Sequence, residues 1–306
     1  MAAHVELHNV SKIYGAQENQ MHTLQEVSFG IERGEFVCIV GPSGCGKSTL
    51  LKIMAGLDSP SSGQVRFQGG PVRGPQSKIS MIFQAFALFP WRTVLENAEY
   101  GLEMQKVGKQ ERREIARQYL DMVGLAGYEH MYPKQLSGGM KQRVGIARAL
   151  AVDPEVVLMD EAFSAIDEVT AETLREEVSE IHKETGKTFV LVTHNLFEAI
   201  DLADKIVVLS SRPAKVKKIM PIELERPRDR THSVFVHIHK DILHMLKEEL
   251  ESTLIRHKLR GIRQLQALHD MEGANKPRVS DYPPENVFPS RRDASGRDQG
   301  VDRQVP

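Results

Sequence analysis

The feature that most constrains the fold of this chain is a glycine-rich loop placed directly after a short apolar segment. The segment EFVCIV occupies residues 35–40, and the loop GPSGCGKS follows at residues 41–48. An apolar run of this length predicts a buried strand, and the sequence LLKIMAGL after the loop suits a helix. In a strand, loop and helix of the pattern G-x-x-x-x-G-K-[ST], backbone N–H groups and the helix N-terminus surround phosphate groups. This placement predicts a phosphate-binding loop rather than a chance glycine-rich turn.

The loop supplies most of the residues that we expect to contact a bound nucleotide. Lys47 adds positive charge for the terminal phosphates and is also a candidate catalytic residue, while the hydroxyl of Ser48 can hold Mg²⁺. The glycines allow the loop to curl so that its N–H groups point inward. The predicted nucleotide contacts of this segment are Gly41, Pro42, Ser43, Gly44, Cys45, Gly46, Lys47, Ser48 and Thr49.

A second segment carries the acids that a phosphate loop needs for its metal and its water. The sequence VVLMDEAFSAID at residues 156–167 predicts a buried strand that ends at Asp160 and Glu161. Consecutive side chains leave a strand on opposite sides, so the two carboxylates can take different roles. Asp160 can hold Mg²⁺, and Glu161 can orient or deprotonate the attacking water. A plain strand end at the surface would give the same local pattern, and the phosphate loop is what favours the catalytic interpretation.

The rest of the chain predicts an α/β domain followed by a part of different character. Short apolar segments alternate with helical patterns up to Leu209, which predicts a mostly parallel sheet covered on both faces. Alternating residues in 1–35 predict further strands, and the scarcity of apolar residues after about position 270 predicts disorder. Apolar periodicity predicts helices over residues 108–125, 168–184, 195–203 and 238–268.

The composition excludes several functional classes. The chain has 306 residues and a formal net charge of -1 at pH 7, so no global excess of positive charge attracts it to nucleic acid. Its apolar runs fall far short of the roughly 20 residues that span a bilayer, and we expect no secretory signal. The two cysteines, Cys38 and Cys45, suit a reducing compartment. We expect a protein that binds no nucleic acid and works at a membrane only through a partner.

A third motif carries a family resemblance. The sequence LSGGMKQRVGIARAL at residues 136–150 resembles the signature motif of ABC-type ATPases, and the other motifs follow in that family's order across nearly all of residues 1–225. The resemblance implies a P-loop NTPase fold of the ABC type, with a mostly parallel core sheet, an antiparallel β subdomain and an α-helical signature subdomain. It implies ATP and Mg²⁺ as cofactors. The expected limits are 1–228 for the ATPase domain, about 85–150 for its helical subdomain, 229–269 for a C-terminal helical extension and 270–306 for a disordered tail.

The same resemblance assigns roles to side chains outside the phosphate loop. Tyr14 stands where an aromatic ring stacks on adenine, and Gln84 matches the Q-loop residue that contacts the nucleotide and Mg²⁺. Asp167 matches the D-loop residue, and His194 matches the switch histidine that contacts the γ-phosphate. Taken alone, Gln84 is an ordinary surface amide and His194 an ordinary strand-end histidine. Their joint order along the chain is what favours the catalytic and binding roles.

The signature segment implies a head-to-tail homodimer with two ATP molecules at the interface. Ser137, Gly138 and Gly139 stand before a helix that starts near Met140, where two glycines allow a backbone to approach a phosphate closely. By resemblance, these residues complete the nucleotide site of the partner subunit.

Four residues depart from the usual pattern of the family. Met140 replaces Gln, Ile166 replaces Leu, Asn195 replaces Asp, and Ala162 replaces the Pro that normally follows the acid pair. A proline at this position would bias Glu161 toward extended backbone, so Ala162 removes a restraint on that residue. None of the four changes removes a charge used in the chemistry above, and we expect an active enzyme.

Two longer phrases resemble the ATPase subunits of nitrate, sulfonate and taurine importers. They are FALFPWRTVLENAEYGLE, which contains Trp91, and VTHNLFEAIDLADKIVVLSSRPAKV. This resemblance implies a peripheral subunit at the cytoplasmic face of the inner membrane. It also implies an integral membrane permease docked near Gln84–Trp91 and a solute-binding protein in the complex. Two other functions stay open, namely a non-transport ABC ATPase that acts as a regulatory module and an ABC subunit for lipid movement or efflux.

The apolar residues between Gln84 and Trp91 have two explanations. Phe86, Leu88 and Phe89 either pack into the core or form, with Trp91, a groove that receives a helix of another subunit. We favour docking for part of this cluster. The segment beyond about residue 230 is either a regulatory element or a solvated appendage.

Overall fold

The structure is a computed structural model that describes residues 3–16, 19–164 and 166–274, with residues 256–274 described as backbone alone. Within this part of the chain, no helix combines the length and the apolar character needed to cross a bilayer.

The chain divides into two compact units, Met1–Ile255 and Arg256–Pro306. All of the described strands lie in the first unit, and the described residues of the second unit are helical. The strands are β1 (Val5–Tyr14), β2 (Met21–Ile31), β3 (Phe36–Val40), β4 (Ser62–Phe67), β5 (Gly70–Pro71), β6 (Ile79–Ile82), β7 (Val156–Asp160), β8 (Thr188–Val192), β9 (Lys205–Leu209) and β10 (Val216–Pro221).

Among the described strands, six form a core sheet in the order β10-β9-β3-β8-β7-β6. Every pair in it is parallel except β9 and β10. Strands β3, β7 and β8 are buried along their whole length, which explains why their sequences are continuous apolar runs. Their register aligns Ile39, Val192 and Asp160 in one row, so the three strands end at the same edge of the sheet.

The other described strands form an antiparallel sheet in the order β2-β1-β4-β5. Its strand β1 ends at Tyr14, which pairs with Met21 at the start of β2. The expected combination of a mostly parallel core sheet with an antiparallel β subdomain is therefore confirmed.

The described helices lie between and after these strands. Helix α2 begins with a capping box in which Thr93 accepts a hydrogen bond from the Glu96 N–H and the Glu96 side chain accepts one from the Thr93 N–H. The helices are α1 (Lys47–Met54), α2 (Val94–Ala98), α3 (Tyr100–Met104), α4 (Lys109–Met122), α5 (Gly138–Ala151), α6 (Glu168–Thr185), α7 (Leu196–Leu202) and α8 (Ser233–Ala274).

Each face of the core sheet is covered by an apolar layer. On one face, Val37 and Ile39 pack with Leu50 of α1 and with the antiparallel sheet. On the other face, Phe36 stacks on Phe189 with ring centroids 5.3 Å apart, next to apolar residues of α5, α6 and α7. Covering both faces is the arrangement that a mostly parallel sheet requires.

The sequence interpretation did not foresee strand β10. The segment after Leu209 is basic and contains prolines, and its register against β9 shifts between Val216 and Lys218. This bulge breaks the alternation that identifies a strand. Lys217, at the bulge, pairs with Glu248 and Glu249 of α8 at 2.9 and 3.1 Å. The residue at the bulge thus contacts a later helix of the chain instead of continuing the regular ladder.

Helix α8 extends past both ends of the amphipathic segment expected at residues 238–268. Its first turns belong to the domain core, since Phe235 and Ile242 are buried in the layer below α6 and α7. The expected domain limits at 228 and 269 stay predictions. Of the tail at 270–306 that was expected to be disordered, residues 270–274 are helical, and the remainder lies outside the described residues.

We predict that Phe235→Ala lowers the free energy of unfolding by about 3–5 kcal/mol, because it removes a fully buried aromatic ring. Val234→Ala, at the exposed neighbouring position, serves as the matched control and should change stability by less than about 0.5 kcal/mol. Urea denaturation of the full chain measures both values. Equal effects of the two changes would show that the start of α8 is not part of the core.

Candidate active site

The phosphate loop joins β3 to α1 with two glycines in left-handed backbone. Gly44 has a φ of 70° and Gly46 a φ of 126°. A Cβ on Gly46 would lie 2.9 Å from side-chain carbons of both Leu24 and Thr23, so this position requires glycine. The N–H of Cys45 donates to the carbonyl of Pro42 at 3.2 Å. The loop thus curls as its sequence pattern predicts.

Lys47 is buried within this curl. Its Nζ donates to the carbonyls of Gly41 at 2.9 Å and Pro42 at 3.1 Å, and the residue is 5% exposed. Among the described residues, none of the ion pairs includes Lys47. A buried ammonium group held only by neutral acceptors favours an anionic ligand beside it.

Ser48 and Asp160 connect the phosphate loop to the end of β7. The Ser48 hydroxyl donates to Oδ1 of Asp160 at 2.8 Å. Burial raises the pKa of the Asp160 carboxyl, and the negative charge of Glu161 acts in the same direction, while the Ser48 hydrogen bond opposes them. The site therefore holds a carboxylate that would gain from a positive charge placed against it.

Glu161 is the point where three segments converge. Its Oε2 accepts a hydrogen bond from Nε2 of Gln84 at 3.0 Å, and its Oε1 lies 3.4 Å from Nδ1 of His194. Its own N–H donates to the carbonyl of Val192 at the end of β8. The structure thus brings together Gln84, Glu161 and His194, which are three of the four side chains that were assigned to catalysis and to the Q-loop, the fourth being Lys47.

The backbone of Glu161 is left-handed, with a φ of 47°. This conformation costs a non-glycine residue on the order of 1–2 kcal/mol. The N–H and the hydroxyl of Ser164 both donate to the Glu161 carbonyl, at 3.1 and 2.9 Å, and hold the turn. Glu161 is therefore not extended, and Ala162 imposes none of the bias toward extended backbone that a proline would add.

A cleft of about 190 Å³ opens at the phosphate loop. The sequence-predicted residues Tyr14 and Glu161 line it together with part of the loop. The predicted loop residues that do not line it are Gly41, Pro42, Ser43 and Cys45. The remaining sequence-predicted residues of the lining are Gly44, Gly46, Lys47, Ser48 and Thr49.

Three further residues of this cleft were missed by sequence reasoning, namely Met21, Thr23 and Arg212. Arg212 donates a hydrogen bond to the carbonyl of Gly44, and its Nη1 lies 3.0 Å from the sulfur of Met21. One signal was available for Arg212, because it follows β9, whose neighbour β3 ends at the phosphate loop. Met21 and Thr23 have no local motif, and only the pairing of β1 with β2 brings them here.

Tyr14 is held by its own contacts at the rim of the cleft. Its hydroxyl donates to Oδ2 of Asp58 at 2.6 Å, and Nζ of Lys12 lies 4.8 Å from its ring centroid. Burial and the Asp58 carboxylate raise the pKa of the Tyr14 phenol. The ring is therefore held in place and neutral at the rim.

The signature and D-loop residues lie outside this cleft. Ser137 caps α5 by accepting a hydrogen bond from the Met140 N–H at 3.2 Å, and Gly138 begins the helix. A Cβ on Gly139 would lie 2.8 Å from the methyl carbon of Thr170, so this glycine allows α5 to approach α6. Asp167 caps α6, and hydrogen bonds from Thr170 lower the pKa of its carboxyl. Gly139 and Asp167 thus have roles within the chain that the resemblance did not imply.

The segment between Gln84 and Trp91 divides between core and surface. Leu88 packs against the core, whereas Trp91 is 70% exposed. Phe86 and Ala87 are both left-handed, with φ values of 59° and 49°, at a cost on the order of 1–2 kcal/mol each. This apolar segment is therefore a strained bend with an exposed aromatic end.

Comparison with known proteins identifies the family of the chain. The sequence profile of the family described as ABC transporter matches residues 24–164. An uncharacterized ABC transporter ATP-binding protein of Methanocaldococcus jannaschii is 47% identical over 254 residues, which cover 83% of this chain and 95% of that protein. This chain belongs to the family of ABC transporter ATP-binding proteins. As a member of that family, it binds and hydrolyses ATP.

Other members of the ABC family carry more specific names or known structures. A nitrate import ATP-binding protein of Synechocystis is 43% identical, over 76% of this chain and 88% of its own length. An aliphatic sulfonates import ATP-binding protein of Bacillus cereus is 41% identical, over 78% of this chain and 94% of its own. An ATP-binding cassette solved as a dimer in a post-hydrolysis state with ADP and phosphate has a TM-score of 0.66 and 35% identity. It matches 72% of this chain and all of that cassette.

We predict that Asp160→Asn stabilises the nucleotide-free protein by about 1 kcal/mol at neutral pH while it abolishes ATP hydrolysis. Asparagine keeps an oxygen acceptor for Ser48 but removes the charge that burial disfavours. Because the folded-state pKa of Asp160 is raised, the contribution of this group to wild-type stability falls as pH rises through that pKa. The difference between the two proteins should vanish at lower pH, where Asp160 is protonated. Thermal denaturation against pH checks this, and a variant less stable at neutral pH would contradict it.

Proposed function

We propose that this chain is the ATP-hydrolysing subunit of an importer for a small solute of the nitrate, sulfonate and taurine class. The observation that carries the proposal is the convergence of Gln84 and His194 on Glu161, beside a phosphate loop with a buried lysine. The named relatives support the transport class, since they are import ATP-binding proteins for nitrate and aliphatic sulfonates. The proposed place of action is the cytoplasmic face of the inner membrane, where the chain would be peripheral.

The proposed binding chemistry begins with the phosphate loop. Lys47 and the loop N–H groups hold the terminal phosphates of ATP, and Tyr14 stacks on adenine. The described residues contain no cluster of three or more His, Cys, Asp or Glu side chains that could hold a metal alone. Mg²⁺ commonly binds through one or two protein carboxylates together with substrate phosphates. The facing oxygens of Ser48 and Asp160 fit that requirement, with Gln84 as a further ligand.

Mg²⁺, when bound, would neutralise negative charge that develops on the phosphates. Glu161 then accepts a proton from the attacking water or orients that water toward the γ-phosphate. Gln84 and His194 keep the Glu161 carboxylate in place, and His194 is 57% exposed at its side chain, which suits contact with a bound phosphate.

The proposed assembly is a head-to-tail homodimer that closes on two ATP molecules. The solved cassettes of similar fold that are dimeric support this assembly. Ser137, Gly138 and Gly139 would complete the partner's nucleotide site through the N-terminus of α5. Asp167 would lie near the same interface, in addition to its role as a helix cap.

The proposed permease contact is the exposed end of the segment between Gln84 and Trp91. The ring centroid of Phe89 lies 5.6 Å from that of Trp91 and 4.5 Å from that of Tyr100, so the exposed indole adjoins a pair of aromatic rings. Exposed aromatic anchors of this kind are typical of interface centres. Closure of the dimer would move this surface, and a solute-binding protein would deliver cargo on the far side of the membrane.

The direct test is affinity purification of the full chain from native membranes, with and without Trp91→Ala. We expect the wild-type chain to retain a multi-spanning permease and a solute-binding protein, and the variant to lose the permease. The isolated solute-binding protein is then titrated with nitrate, alkanesulfonates and taurine. A permease without a solute-binding protein would instead support lipid movement or efflux. Soluble partners without membrane spans would support a regulatory module.

We predict that Glu161→Gln retains ATP affinity within about 3-fold but lowers kcat by about 100-fold or more, because glutamine cannot accept a proton from water. Equilibrium ATP binding and phosphate release measure the two quantities. Glu176→Gln, at an exposed position of α6, is the matched control and should leave both unchanged. Near-normal hydrolysis by Glu161→Gln would refute the role of Glu161.

A further inference from the structure

The strained bend at Phe86 and Ala87 needs support from outside its own segment. Residues with a Cβ rarely adopt left-handed backbone, and two in succession are rarer still. Within the segment, the Phe86 N–H donates to the Phe83 carbonyl at 3.2 Å and the Ala87 N–H to the Ala85 carbonyl at 2.6 Å. These bonds use the N–H groups of the bend and leave its carbonyls to other donors.

The donor for both carbonyls is Arg148, in the last turn of α5. Its Nη1 donates to the carbonyl of Ala87 at 2.6 Å, and its Nη2 donates to the carbonyl of Phe86 at 3.0 Å. Gly145, one turn earlier on α5, faces the same place, since a Cβ there would lie 3.8 Å from the Phe86 carbonyl oxygen. The bend therefore lies against one face of α5, where one guanidinium group spans both of its carbonyls.

The charge of Arg148 has no competing partner in the described part of the chain. No carboxylate there forms an ion pair with it, and the two carbonyls are its hydrogen-bond acceptors. Desolvation lowers the pKa of Arg148, yet an arginine stays protonated at neutral pH. Charge-assisted hydrogen bonds are the stronger kind, so this pair of bonds is suited to hold a strained backbone.

Candidate site residues lie next to both the bend and α5. Gln84 precedes the bend and donates to Glu161 at 3.0 Å. At the opposite end of α5, Ser137 caps the helix at the signature segment. We propose that Arg148 is a positioning residue: it binds the Phe86–Ala87 bend to helix α5 and so holds Gln84 against Glu161. This inference rests on the proposed roles of Gln84 and Glu161.

The first test is the steady-state kinetics of Arg148→Ala in the full chain. We expect kcat for ATP hydrolysis to fall by about 10-fold while KM for ATP stays within about 2-fold, because the nucleotide cleft does not include this residue. The kcat of Arg148→Lys should lie between the values of wild type and Arg148→Ala. Lysine keeps the positive charge, but its ammonium group lacks the planar fork that spans two carbonyls.

The second test is rescue by a change in the bend itself. Glycine adopts left-handed backbone without steric cost, so Ala87→Gly should make the bend less dependent on Arg148. We expect the double variant Arg148→Ala with Ala87→Gly to recover kcat by about 3-fold or more over Arg148→Ala. A merely structural role for Arg148 predicts no such recovery.

The third readout is Trp91, the single tryptophan of the chain. It follows the bend, so its fluorescence anisotropy reports how firmly the segment is held. We expect lower anisotropy in Arg148→Ala than in wild type, and a value restored toward wild type in the double variant. This readout needs neither a permease nor hydrolysis.

Arg143→Ala is the matched control, because Arg143 lies on the same helix but bonds to the carbonyl of Val123 and to Glu177. It should lower the melting temperature without changing kcat or Trp91 anisotropy. The proposal would be overturned if Arg148→Ala kept the wild-type kcat and the wild-type Trp91 anisotropy. It would also be overturned if Arg143→Ala lost as much kcat as Arg148→Ala and Ala87→Gly failed to restore kcat in Arg148→Ala. If Arg148→Ala does not fold, Arg148→Lys with and without Ala87→Gly decides the same question.

A further variant, Gln84→Ala, separates this inference from the proposed function. Unchanged kcat in Gln84→Ala would refute the role of Gln84 itself. If Trp91 anisotropy were nevertheless lower in Arg148→Ala, the contact between the bend and α5 would still be supported. Only the proposed effect of that contact on Glu161 would be overturned.

Discussion

Parallel pairing of β3, β8 and β7 aligns Ile39, Val192 and Asp160 in one row, and the rest of the site follows from that alignment. Parallel strands end at a common edge, and binding sites in such sheets form outside this edge. The Ser48–Asp160 hydrogen bond at 2.8 Å joins residues 112 positions apart in sequence across it. A one-residue slip of β7 would send Asp160 and Glu161 to the opposite faces and would separate both from the loop.

Two buried charges and a strained backbone residue lie at this same edge of the core sheet. Lys47 is a buried cation without an ion pair in the described chain, and Asp160 is a buried carboxylate whose pKa is raised. Glu161 adds a left-handed backbone. Buried charges and strained residues persist only where the surrounding structure determines them strongly. Here the fully buried strands β3, β7 and β8 provide that rigidity, and a bound nucleotide with its metal would relieve the two charges together.

The sequence predicts the parts of this structure that are local. The phosphate loop, the acid pair and the helices near residues 108–125 and 168–184 each carry their pattern within a few consecutive residues, and the structure places them as expected. Strand β10 was missed because a bulge between Val216 and Lys218 interrupts the alternation that identifies a strand. Arg148 was missed because its acceptors are backbone carbonyls, which any residue supplies and no motif records. Arg212 also donates to a backbone carbonyl, and only its position directly after β9 could have indicated it.

The contacts of α7 show how the segment after residue 225 meets the active site. The Asn195 side chain caps the start of α7, directly after His194. At its other end, Arg226 and Arg228 donate to the carbonyls of Leu202 and Ile200, and burial lowers the pKa of Arg228 to about 10.

Cations at a helix C-terminus are stabilising, and here they fix the end opposite His194. Phe197, in the first turn of α7, stacks on His239 of α8 at 4.8 Å and on Phe235 at 6.2 Å between ring centroids. Helix α7 is therefore held at both ends by the C-terminal segment. The residues from Arg226 to His239 therefore contact the helix that directly follows His194, whereas a purely solvated appendage would make no such contacts.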